Sequence, residues 1–300
     1  MTDLVIRPLA AGEEHLFDTM DSPCLVGLSA FGGSYRRMLA SGQYRPEWTW
    51  VALRGGTVVA RAAWWAGPND DAPEALDWFD FTDPVAGTAL LTSAPMRVEY
   101  CLRLPPDWRD RPAVRAAAEA QAGVLAAAGM RLLVERYQYR WTPDRGIPPR
   151  PGRLVYRIEP DDDAILDVLR RMNHGTLDAH ARRVIAAGGV DAAAREDLAV
   201  LRWFPSPREW WRTAYTPDGD LVGLTVPARN YSDPVVGIVG VVPEQRGHGY
   251  GYDLLVECTH LLVEQGADRV VAATDVGNTP MAAAFVRAGY PVIQERQFFV

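Results

Sequence analysis

The stretch VVGIVGVVPEQRGHGYGYDLLVECTHLLVEQG, Val235 to Gly266, decides how this 300-residue chain folds. A run rich in Val and Ile, Val235 to Val242, reads as a buried strand that stops at Pro243. Arg246-Gly247-His248-Gly249-Tyr250-Gly251 then leads into an amphipathic helix, Tyr250 to Glu264. Glycines at a strand-to-helix turn allow successive backbone N–H groups to point at one spot, and the helix start adds partial positive charge. Such a turn suits a pyrophosphate. No Gly-Lys-Ser/Thr follows it, which excludes a P-loop, and its spacing is not the Gly-x-Gly-x-x-Gly of dinucleotide folds.

Working outward, Arg269 to Thr274 reads as a further strand, and strand, helix and strand in that order predict a parallel pair with the helix packed on the sheet. The first half of the chain repeats this order with Arg97 to Leu104, Ala113 to Ala128 and Arg131 to Tyr139. Each half also opens alike: LVIRPLAAGEEHLFDTM from Leu4 and LVYRIEPDDDAILDVLRRM from Leu154 both read as a strand and then a helix. Hairpins follow, turned at Gly55-Gly56 in one half and at Pro217-Asp218-Gly219 in the other. The chain therefore reads as a duplicated α/β unit. TPDRGIPPRPG, Thr142 to Gly152, is rich in Pro and Gly and reads as a linker, which sets the expected domains at 1–145 and 153–300. Between Asp162 and Phe204 the second half adds helical segments that could wall a cleft.

Arg246-x-x-Gly249-x-Gly251 after a strand ending in Val-x-Pro resembles motif A of the GNAT superfamily of N-acetyltransferases. Asn278-x-x-Met281-x-x-x-Phe285-x-x-x-Gly289-Tyr290 is similar to that superfamily's next motif. The resemblance implies two tandem GNAT-like mixed β-sheet domains flanked by helices, and acetyl-CoA or another acyl-CoA as co-substrate. It implies coenzyme contacts from Val241, Val242, Arg246, Gly247, His248, Gly249, Tyr250, Gly251, Asn278, Met281 and Phe285. It further implies direct attack of an amine within a ternary complex, with a backbone N–H at Val241 polarising the thioester carbonyl.

The first half departs from this pattern. Laying Leu104 to Val114 on Val241 to Gly251 keeps Arg109 opposite Arg246 but replaces the glycines with Asp110, Pro112 and Val114. Asp would oppose phosphate, Pro has no N–H and Val restricts the backbone, so this half is expected to be degenerate. In tandem members such as the mycothiol synthase type, one half is likewise degenerate.

The catalytic groups are less legible. Phe285 stands where many relatives keep a Tyr that protonates the leaving sulfur, and Tyr250 and Tyr290 are the nearest replacements, with packing as the alternative. Strand Val235 to Val242 lacks the Glu of many relatives, leaving Asp275 and Asn278 beside the cleft, with Asp275 alternatively an N-cap. His174, Asp178 and His180 lie in the inserted wall, His174 and Asp178 four apart as on one helix face. Trp210 and Tyr231 would suit a cationic or flat acceptor, and Glu257 and His260 are expected to face solvent. No zinc or other metal set is spaced as ligands require, and Cys24, Cys101 and Cys258 read as inert thiols.

Composition agrees with a small-molecule enzyme. A formal charge of −7 argues against nucleic acid and anionic membranes, which require a basic face. The start MTDLVIRPLA has no leader pattern and no run approaches the ~20 apolar residues of a membrane span, so a cytoplasmic monomer or homodimer is expected. All 31 basic residues are Arg, which fits a GC-rich coding sequence. The expectation is an acyl-CoA-dependent N-acyltransferase acting on a small-molecule amine. A non-catalytic acyl-CoA sensor or partner-binding module, or a protein or peptide N-acetyltransferase, remain as alternatives.

Overall fold

The computed structural model of the chain describes residues 3–20, 25–26, 34–230 and 232–300. It divides into two compact units, Met1–Glu135 with Gln294–Val300, and Arg136–Ile293. In chain order the elements of the first half are β1 (Leu4–Pro8), α1 (Tyr35–Ala40), β2 (Thr49–Arg54), β3 (Thr57–Trp65) and β4 (Ala75–Phe81). There follow α2 (Pro84–Ser93), β5 (Tyr100–Leu104), α3 (Pro112–Ala127) and β6 (Leu132–Trp141). The second half gives β7 (Val155–Ile158), α4 (Asp162–Asn173), α5 (Ala179–Trp203), β8 (Arg212–Tyr215), β9 (Leu221–Arg229) and β10 (Pro234–Val241). It ends with α6 (Tyr250–Glu264), β11 (Val270–Asp275), α7 (Thr279–Arg287) and β12 (Val292–Phe299).

The first unit orders its strands β1-β2-β3-β4-β5-β12, antiparallel except for the parallel pair β4 and β5. Trp64, Phe79, Leu90, Tyr100, Leu102 and Leu125 are buried together where α2 and α3 meet this sheet. The second unit orders its strands β7-β8-β9-β10-β11-β6, again with one parallel pair, β10 and β11. The two units share one strand plan, and in each the last strand of the order comes from the other half of the sequence. β12 finishes the first and residues 136–141 of β6 finish the second. The sequence boundary at 142–152 thus falls inside the second compact unit.

In the second unit, alternation along β9 places its side chains on opposite faces. Leu224 and Val226 pack with Ile165, Leu169, Ala194 and Leu198 of α4 and α5. Thr225 donates its hydroxyl to the Leu254 carbonyl of α6 at 3.1 Å. The long α5 is broken at Gly189, whose φ of 83° is not helical, so the insertion forms three helical pieces as its sequence suggested.

Some local expectations are corrected. After β1, residues Glu14–Thr19 make a 3-10 turn rather than a helix. Its start lacks a side-chain cap, since the Glu13 carboxylate is taken by Arg7 and the Ala10 N–H, and Phe17 is the side chain it buries. The 142–152 stretch is tied to α6 rather than loose. Arg150 Nε donates to Glu257 at 2.6 Å, and a ring nitrogen of His260 lies 2.8 Å from the Pro148 carbonyl. Glu257 is accordingly buried, not solvent-facing, and His260 is half-buried. No helix among the described residues is long and apolar enough to cross a membrane.

Candidate active site

The glycine turn has the geometry of an anion cradle. Val242 donates its N–H to the Val222 carbonyl at 2.9 Å, Pro243–Gln245 makes one 3-10 turn, and Gly247 and Gly249 then take φ of 86° and 77°. Only glycine holds these values without steric cost. Among the described residues, the N–H groups of Gly247, His248, Gly249, Tyr250 and Gly251 donate to no protein acceptor. Residues 246–249 are exposed, and α6 begins at Tyr250, so its positive end points into the same space. Met281 reaches this turn from α7, its sulfur 3.9 Å from where a Cβ on Gly251 would lie.

Arg246 holds the turn in place. Its Nε donates to the Val241 carbonyl at 3.2 Å, Nη2 to Met172 at 2.7 Å and Nη1 to Gly175 at 3.1 Å. The guanidinium thus caps the carbonyl end of α4, a favourable place for positive charge. The cation beside the turn that sequence reading missed is Arg153, which donates to the His248 carbonyl at 3.1 Å and to the buried Asp253 at 3.0 Å. Its guanidinium lies 4.9 Å over the Tyr250 ring, and its bond to Asp253 raises its pKa further. Nothing in the sequence around Arg153 marks it, because its partners lie about a hundred residues away.

In the first unit the equivalent turn is closed. Arg109 pairs with Glu295 at 2.5 Å and with Glu135 at 3.2 Å, while Trp108 Nε1 donates to Glu295 at 2.9 Å. Asp110 turns its N–H back onto the Asp107 carbonyl and Pro112 starts α3 without an N–H to offer. This site holds acidic groups and satisfied backbone where a phosphate cradle needs the reverse.

Beside the open turn, β10 and β11 pair in parallel at Val235 and Val271 alone, while β11 stays paired with β6 through Asp275. Gly237 forms a bulge in β10 that changes its register with β9. Because Val242 points its N–H at β9, strand alternation turns that of Val241 to the opposite edge, where β11 offers no partner. The carboxyl ends of β10 and β11 thus bound a crevice with a backbone donor on its rim, the usual ligand position of such sheets.

A polar network occupies the β11 end. Asp275 is 3% exposed; its Oδ1 accepts from Arg136 Nε at 2.5 Å and its Oδ2 from the Ala179 N–H at 2.7 Å. Arg136 also pairs with Asp178 at 2.5 Å, and Asp178 caps α5 through the Ala181 N–H at 2.8 Å. Both carboxylate oxygens of Asp275 are thus taken up by donors from β6 and α5. Asn278, rather than Asp275, is the N-cap of α7, accepting from the Met281 N–H at 3.4 Å. Arg136 escaped the sequence reading because it arrives on β6, from the other half of the duplication.

Phe285 is 1% exposed, stacked on Tyr139 with ring centroids 4.3 Å apart and edge-on to Tyr290 at 5.4 Å. The Tyr290 hydroxyl lies 2.7 Å from Thr259 Oγ1, and burial drives its pKa up, as it drives that of Tyr139 to about 12. Tyr250 stacks on His248 at 5.6 Å. Trp210 packs into the cores on both sides of the sheet. His174 ends α4 and is exposed, whereas Asp178 begins α5; Gly175, with φ of 64°, breaks the chain between them, so the two do not share a helix face. Tyr231 and Cys24 lie outside the described residues. Burial pushes the Cys101 thiol to about 11 and that of Cys258 to about 12.

Residues 182–290 match the family described as the acetyltransferase (GNAT) family. The mycothiol acetyltransferase of Arthrobacter sp. strain FB24 is 27% identical over 187 residues, which are 57% of this chain and 54% of that protein. The mycothiol acetyltransferase of Corynebacterium aurimucosum is 35% identical over 60 residues, 20% of each. The chain thus spans about half the length of the first relative and a fifth of the second. Among solved structures, a GCN5-related N-acetyltransferase from Sphaerobacter thermophilus gives a TM-score of 0.59 at 16% identity, over 99% of this chain and 94% of that one. A tandem GNAT protein from the clavulanic acid biosynthesis pathway gives 0.52 at 20% identity, over 99% and 98%. These likenesses are of fold, and they extend the α/β GNAT architecture over the whole chain.

Proposed function

Because residues 182–290 match the acetyltransferase (GNAT) family, we propose that the protein is an acyl-CoA-dependent N-acyltransferase that acetylates the amine of a small molecule. The observation that carries this reading is the set of N–H groups from Gly247 to Gly251, open at the positive end of α6. They fit the pyrophosphate of acetyl-CoA, and Arg153 adds a cation at its side. Met281 and Asn278, at the start of α7, border the path of the pantetheine arm.

In this reading the amine attacks the thioester carbonyl directly within a ternary complex. The Val241 N–H, at the edge of the crevice, stabilises the oxygen as charge develops on it. Asp275 orients Arg136 and the head of α5 rather than taking a proton. Phe285 packs beneath the site, and the CoA thiolate leaves without a dedicated tyrosine, which its moderate basicity permits. The name mycothiol acetyltransferase, borne by both curated relatives, supports a small-molecule acceptor.

The test is a screen of small amines with acetyl-CoA, read by thiol release, alongside calorimetric titration of acetyl-CoA. Binding with turnover supports the enzyme. Binding without turnover by any amine, peptides included, favours a sensor.

A further inference from the structure

Two runs of contacts lead from the ends of β10 and β11 to α5. From the end of β10, Arg246 links the Val241 carbonyl to those of Met172 and Gly175 at the end of α4. Between those two residues, Asn173 is buried and donates its side-chain N–H to Asp197 Oδ2 of α5 at 2.7 Å. From the end of β11, Asp275 holds Arg136, which holds Asp178 at the head of α5. Asp178 is close enough to Asp197 for its charge to act on it.

The carboxylates of these two runs differ in what they can still accept. Asp275 has a donor on each oxygen, and Asp178 is divided between Arg136, on Oδ2, and the Ala181 N–H, on Oδ1. Asp197 has one bond, from Asn173, and among the described residues its Oδ1 accepts none. No cation lies among the groups that act on it; those are Asn173 from α4, Asp178 from the start of α5 and Glu196 beside it. Burial, reinforced by those two negative neighbours, raises its pKa to about 6, a value suited to accepting a proton near neutral pH.

We propose that Asp197 is the proton acceptor for the attacking amine, positioned by Asn173. This rests on the N-acyltransferase reading. The amine lone pair forms the new C–N bond as the carbonyl π pair moves onto oxygen, against the Val241 N–H. That pair then returns, the C–S bond breaks and its electrons leave with sulfur as thiolate. The proton lost by nitrogen passes to Asp197 Oδ1 and on to solvent, so charge and atoms balance.

The experiment is the pH dependence of kcat/KM for an amine found in the screen, together with the acetyl-CoA Kd. Wild-type kcat/KM, expressed on the concentration of neutral amine so that the amine's own ionisation is removed, should fall about tenfold per unit below pH ~6. Asp197→Asn should lower it at pH 7.5 by about 10² or more, abolish that limb and leave the acetyl-CoA Kd within about twofold. Asp197→Glu should keep a limb, and Asn173→Ala should move it to higher pH by removing a donor to the carboxylate. A limb that persists in Asp197→Asn, or a loss of less than about threefold, overturns the proposal while leaving the acyltransferase reading intact. Failure of the wild type to turn over any amine overturns both.

Discussion

Arg136 Nε lies 2.5 Å from Asp275 Oδ1, joining β6 of the first half to the last residue of β11 in the second. The pair is poorly solvated, with side-chain exposures of 20% and 3%. The charge that remains when one partner of such a pair is removed costs about 3–5 kcal/mol. Arg136→Met is therefore expected to lower unfolding stability by about 3 kcal/mol, and adding Asp275→Asn should restore part of it. Urea denaturation of the two single variants and the double variant measures this, and a double variant as unstable as the sum of the singles would remove the coupling.

The glycine turn makes a second prediction. At Gly249, φ is 77°, and a carboxylate there would both strain the backbone and repel phosphate. Gly249→Asp should weaken acetyl-CoA binding at least tenfold, about 1.4 kcal/mol, in a folded protein. Arg246→Glu should do the same and also lower the melting temperature, since three carbonyls lose their donor. Calorimetry that returns wild-type affinity for a folded Gly249→Asp would take the coenzyme away from this turn.

Stoichiometry follows from the closed turn of the first unit. With Arg109 held by Glu295 and Glu135, and with Pro112 in place of a donor, one acetyl-CoA should bind per chain. Arg109→Ala should leave the affinity within about twofold, less than 0.5 kcal/mol. A titration showing two equal sites would contradict this.

The aromatic stack sets the expectation for Phe285. Enclosed by Tyr139 and Tyr290, it has no proton to give, and truncation should be felt as packing. Phe285→Leu should cost about 1–2 kcal/mol of stability and keep most of kcat. Tyr250→Phe and Tyr290→Phe should each lose less than about tenfold in kcat, below the 10²-fold or more that a general acid supplies. A loss of several hundredfold in either, with acetyl-CoA affinity intact, would identify a relocated acid.

What could be read in advance was local. The strand, the Gly247 and Gly249 turn and the helix from Tyr250 are written in contiguous residues, and so is the loss of glycine at Asp110 and Pro112. The exchange of strands between the halves was not legible, because β6 and β12 have the composition of a strand whichever unit they join. Arg136, Arg153 and Asp197 were missed for the same reason. Their significance lies in Asp275, His248 and Asn173, each reached only through tertiary contact. His174 and Asp178 show the converse, since their helical spacing is undone by Gly175 between them.

The raised pKa of Asp197 ties activity to stability. Burial is the main cause that pushes its carboxyl up to about 6 in the folded protein, from 3.8 for an ordinary aspartate. Below pH 3.8 the residue is protonated in both states, so burial costs nothing in charge. As pH rises towards 6, the unfolded chain ionises freely while the folded one resists, and stability is lost across that window. Above pH 6 the penalty is complete and constant. A shift of this size corresponds to about 3 kcal/mol at most, and solvent contact at Oδ1 reduces it to about 1–3 kcal/mol. Asparagine carries no charge and can still accept from Asn173, so Asp197→Asn should be more stable than wild type by this amount at pH 7.5. The gain should vanish near pH 4. Melting temperatures of both proteins across pH 4 to 8 measure the difference, and a gain that is absent at pH 7.5, or equal at both ends, would show that Asp197 is not held in a desolvated, proton-accepting state. A variant that is more stable yet slower is what a residue kept for chemistry at a cost in folding should give.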